Sequence, residues 1–93
     1  MLFRSGQYRD FSDEYSTAKA HLSYLEEFKK SKIAMLMKAA QKLGITTASG
    51  QEREAYAHEE YVQLLEAIQE ATVTESKLKF LLRKIEKIGR AHV

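Results

Sequence analysis

Apolar residues recur every three or four positions along two long stretches of this chain. In the first, Tyr15, Leu22, Leu36 and Leu43 fall at position a of a heptad, and Ala18, Leu25 and Ala39 at d. In the second, Tyr61, Ile68 and Leu82 fall at a, and Leu64, Ala71, Leu78 and Ile85 at d. That spacing predicts two long helices, about 12–43 and 59–88. Ser12 reads as the first N-cap, with Asp13 and Glu14 in the first turn, and Gly44 as the glycine that ends the helix. Between them, Ser49 and Glu52 have the spacing of a capping box, which predicts a short helix over 50–57 ending at a break near His58. Residues 1–11 show no period and are expected to form a flexible arm.

Two long helices joined by a compact linker should fold back antiparallel. The expected fold is therefore all-α, a single helical hairpin domain over 12–88. Lys29 and Lys32 interrupt the first seam and Glu75 the second. If Leu36 faces Ile68 and Leu22 faces Leu82, these three meet as a polar layer that fixes the register. The other reading is that the lysines reach past the seam to solvent. Each helix also carries a second apolar stripe: Tyr24, Phe28 and Met35 on the first, and Val62, Val73 and Phe80 on the last, with Leu81 and Ile88 flanking. A lone hairpin buries one stripe per helix, so the second stripe is expected to form the interface of a homodimer, a four-helix bundle, or to receive a protein partner. The alternative is that Phe3, Tyr8, Phe11 and Tyr56 cover it from within the chain.

Composition narrows the function classes. Charged residues make up 30% and hydrophobic residues 44% of the 93 positions, too apolar for disorder and too charged for a membrane span. There is no cysteine, which removes disulfides and thiolate metal sites and fits a cytoplasmic setting. His58-Glu59 begins like a zinc-protease motif, but Val62 stands where the second histidine belongs. His21, His58 and His92 share no ligand spacing. No phosphate-binding glycine loop and no nucleophile setting occurs, so neither catalysis nor a cofactor is expected. Net charge is +2, too small to argue for nucleic acid by itself. Bases do cluster late, at Lys77, Lys79, Arg83, Lys84, Lys87 and Arg90, where the helix dipole favours them. Lys77, Arg83, Lys84 and Lys87 are the candidate phosphate contacts of an alternative, nucleic-acid-binding function.

From "EFKKSKIAMLMKAA" through "QEREAYAHEEYVQLLEAIQEATVTESKLKFLLRKIEKI" the chain resembles a group of small helical proteins of phages and prophages. "EREAYA" and "EYVQLLEAIQEA" carry most of the likeness, which covers residues 25–88. Members are often encoded among recombination and replication genes, and such neighbourhoods also hold inhibitors of host defences. The resemblance implies a non-enzymatic accessory protein in the cytoplasm of a bacterial host, acting on a recombination or host-defence protein, and implies no active site. The group tends to continue its last helix where this chain turns to "IGRAHV". Those six residues also translate one frame of a common sequencing adapter. The expectation is a helix end at Gly89, a frayed tail over 89–93, and a non-native origin for Ile88 to Val93.

Overall fold

The computed structural model describes the backbone of residues 3–91 and the side chains of 11–88. Three helices follow one another: α1 (Phe3–Lys42), α2 (Ala48–Ala57) and α3 (Glu59–Ala91). Among the described residues there is no strand, and no helix is long and apolar enough to cross a membrane. The chain divides into two compact units, one made of residues 1–22 and 70–93 and the other of residues 23–69.

Two expected helix ends move outward. α1 starts at Phe3 rather than Ser12, because nothing between them stops a helix. The segment has no proline, and one glycine and a few serines and aspartates cost at most about 1 kcal/mol each. α3 likewise runs through Gly89 and Arg90 to Ala91. An isolated glycine weakens a helix without ending it unless the backbone turns left-handed, and Gly89 is not among the positive-φ glycines. His92 and Val93 lie outside the described residues, as do the side chains of Phe3 and Tyr8.

The unit of residues 23–69 is built around a tight connector. Gly44 adopts φ 102°, the left-handed conformation expected of it. Its N–H donates to the Gln41 carbonyl (3.0 Å), and the Ile45 N–H to that of Ala40 (3.1 Å). These two bonds satisfy carbonyls that the end of α1 leaves open, the pattern of a Schellman turn. The cap of α2 is not Ser49. Thr47, extended at φ −92° and ψ 145°, accepts from the Gly50 N–H at 3.1 Å. Gly50 permits this cap, since a Cβ there would stand 2.7 Å from Thr47 Oγ1 and 2.9 Å from Ile45 Cγ2. Both neighbours are β-branched and stiff. Gly50→Ala should therefore cost about 1–2 kcal/mol despite alanine's better helix propensity, because it displaces the cap and crowds Ile45. A urea midpoint at or above that of the parent would contradict this packing.

Leu36, Ala55 and Tyr61 form the buried cluster of this unit, with Ile33 and Met37 packed against it. Leu25, Ala40 and Leu64 are buried in it too. The register differs from the expected one: Leu36 sits with Tyr61, one heptad before Ile68. The cause is α2. Its Ala55, with no exposed surface, wedges between Leu36 and Tyr61 and takes the place that Leu43 was expected to fill beside the start of α3. Leu43 has passed the end of α1 and is 81% exposed. Ala40, not Ala39, is the last inward residue of α1. A straight helix of 3.6 residues per turn drifts by about 20° per heptad, so a strict a/d seam slips by a position over such a length.

Among its described residues, the unit of residues 1–22 and 70–93 has two helical segments. Phe11, Tyr15, Ala18 and Leu22 of α1, and Glu75, Leu78, Leu82 and Ile85 of α3, are half-buried. Ala71 is the one buried residue among those described here. With no third element to cover them, seam residues keep part of their surface in water.

Candidate interaction surface

In the unit of residues 23–69 the α1 stripe points outward. Tyr24 and Met35 are exposed and Phe28 is half-buried. Four residues apart on one helix face, Tyr24 and Phe28 stack with ring centroids 5.9 Å apart and planes 16° from parallel. Tyr56, a lid in the alternative reading, turns its ring edge to Tyr61 at 5.3 Å and stays exposed. Val62 and Leu65 of α3 are exposed as well. Leu65 escaped the sequence reading, although its place three residues after Val62 was the available signal.

The polar interruptions resolve differently from the expected layer. The Lys32 ammonium donates to Glu60 Oε1 at 2.8 Å, rather than meeting Glu75. The shift of one heptad accounts for the exchange of partners. Lys32 keeps its stem in the seam, 16% exposed, while its charge reaches the half-exposed Glu60. Lys29 and Glu75 are both half-buried on their helices. His58 completes this corner. Its backbone is extended, its Nδ1 accepts from the Glu60 N–H at 3.1 Å, and its Nε2 lies 3.7 Å from Glu60 Oε2. The break expected at His58 is thus a cap for α3.

Lys32's hydrogen bond, and then its charge, hold the Glu60 carboxyl below its ordinary range, against a small opposing effect of desolvation and with help from His58. A carboxylate depressed in the folded state adds stability above its unfolded pKa and loses it as pH falls through the folded one. Glu60→Gln should therefore flatten the acid limb of a stability profile taken from about pH 3 to pH 7. Parallel profiles for the two proteins would show that the pair contributes nothing.

In the other unit, Val73, Phe80, Leu81 and Ile88 are exposed. The Lys84 Nζ stands 5.2 Å from the Phe80 ring centroid. Phe80, Arg83, Lys84, Glu86 and Lys87 line one shallow hollow, and Ser76, Lys77, Phe80 and Leu81 another. Three of the four candidate phosphate contacts, Arg83, Lys84 and Lys87, thus gather round Phe80, with the Glu86 carboxylate among them. Lys77 lies in the second hollow. A third hollow between α1 and α3 is lined by Asp13, Glu14, Thr17, Ala18, His21, Thr74 and Leu78. Among the described residues no group of three or more His, Cys, Asp or Glu side chains could hold a metal ion.

The chain matches no protein-family model, no curated protein and no solved structure.

Proposed function

We propose that the chain is a helical protein-interaction module that self-associates and presents a second surface to a protein partner. One observation carries this reading. In the unit of residues 1–22 and 70–93, a single alanine is buried among the described residues, while Val73, Phe80, Leu81 and Ile88 remain in water. A helix pair whose seam stays half in water and whose outer face carries large apolar groups gains by adding a layer, and exposed apolar patches mark interfaces. The stacked Tyr24 and Phe28, with Met35, form a separate patch in the other unit, suited to a partner of different kind. The phage-like residues quoted above support an accessory role in recombination or in countering a host defence, without catalysis. Light scattering across a concentration series tests the core of the proposal. The expected mass is twice that of the 10.7 kDa chain, and a strict monomer at high micromolar concentration would overturn it.

A second reading rests on Phe80 and its ring of bases: an exposed aromatic among cations can stack a base and bind phosphates. Affinity for single-stranded DNA that falls by about an order of magnitude or more between low and physiological salt would support it. No binding at low salt would dismiss it.

A further inference from the structure

The outward face of α3 changes sign at one point. α3 is a single helix from Glu59 to Ala91, so a step of 100° per residue assigns each position to a face. The face opposite the Leu78–Leu82 seam carries Val62, Leu65, Val73 and Phe80, all exposed. Every charged residue on that face before Val73 is an acid: Glu59, Glu66 and Glu70. Every one after it is a base: Lys77, Arg83, Lys84 and Lys87. All seven are exposed.

We infer that this face is the self-association surface, and that two copies pair their α3 helices antiparallel about a two-fold axis at Val73. The inference rests on the self-association proposed above and specifies its geometry. An isologous contact demands that the surface complement itself. With Val73 opposite its own copy, facing positions add to 146. Lys87 then meets Glu59 of the second copy, Lys77 lies beside Glu70 and Lys84 near Glu66, and the axis repeats each pair. Phe80 faces Glu66 and settles beside Leu65 against the aliphatic part of that glutamate. A parallel pair would instead set Lys84 against Lys84 and Glu66 against Glu66, which like charges oppose. The same sign change weighs against other occupants. A nucleic acid laid along this face would be repelled by its first half, and an acidic protein would match only the second. A second copy matches both.

The chain has no cysteine, so single cysteines report contacts cleanly. Under mild oxidation Val73→Cys should give a covalent dimer by itself. Phe80→Cys should do so only when mixed with Glu66→Cys, and Glu27→Cys, on α1, should not. Lys84→Glu and Glu66→Lys should each weaken dimerisation by about tenfold or more, since each change acts twice across the axis. The two together should restore it. Circular dichroism confirms that each variant keeps its helices. If light scattering finds a dimer, but Val73→Cys does not cross-link and the double reversal does not rescue, α3 pairing is wrong and self-association stands. A monomer at all concentrations overturns both.

Discussion

Leu36→Ala should lower stability by about 2–4 kcal/mol, whereas Leu43→Ala should change it by less than about 0.5 kcal/mol. The heptad assigns both leucines to position a, so the pattern alone predicts equal losses. The structure separates them. Leu36 is 7% exposed and touches Ala55 and Tyr61, so truncation removes buried contacts and leaves a cavity that two helices must collapse around. Leu43 follows the last turn of α1 and is 81% exposed, so truncation removes little from the fold. In a small domain with a thin core, the first loss is a large share of the total. Urea melts of the two variants decide the matter. Equal losses would return Leu43 to the seam and restore the expected register.

Ala55→Asp should be the more damaging change, by about 3–5 kcal/mol, because it sets an unpaired carboxylate where no surface is exposed. Aspartate's single methylene is too short to carry the carboxylate past Leu36 and Tyr61 to water. Amide exchange should locate the damage in residues 23–69, with faster exchange around Leu36 and Tyr61. Ala57→Asp, at an exposed position two residues on, is the matched control and should melt near the parent. An Ala55→Asp protein as stable as that control would mean that α2 does not wedge between its neighbours.

Much of the helical pattern was legible. Tyr61, Leu64, Ile68, Ala71, Glu75, Leu78, Leu82 and Ile85, the a and d positions of α3, are all buried or half-buried. In α1 the assignment holds from Tyr15 to Leu36 and then slips to Ala40. The register was not legible, for a physical reason. A seam of period seven looks the same after a shift of seven, so Leu36 against Ile68 and Leu36 against Tyr61 satisfy the pattern equally. Ala55 breaks that degeneracy, and a single alanine in a short helix is a weak signal of a wedge. Lys32's partner was misread because it followed from the register. The outward stripes were legible as apolar positions left over from each seam: Tyr24, Met35, Val73, Phe80 and Leu81 are exposed as expected, and Phe28 half so. The start of α1 and the end of α3 were not, since helices without proline stop where packing and caps stop them.

His58 has a consequence for how the chain can be remodelled. A single residue, extended at ψ 137°, separates the last turn of α2 from the first turn of α3. Its N–H closes onto the Ala55 carbonyl, its carbonyl receives the N–H groups of Tyr61 and Val62, and its ring receives that of Glu60. The elbow is thus one torsion wide, held by bonds that an uninterrupted rod would not need. Substitutions at this position act on topology before they act on contacts. A residue with strong helix preference and no ring acceptor biases α2 and α3 toward one straight rod, and the wedge of Ala55 would then swing away from Leu36 as a lever does from its notch.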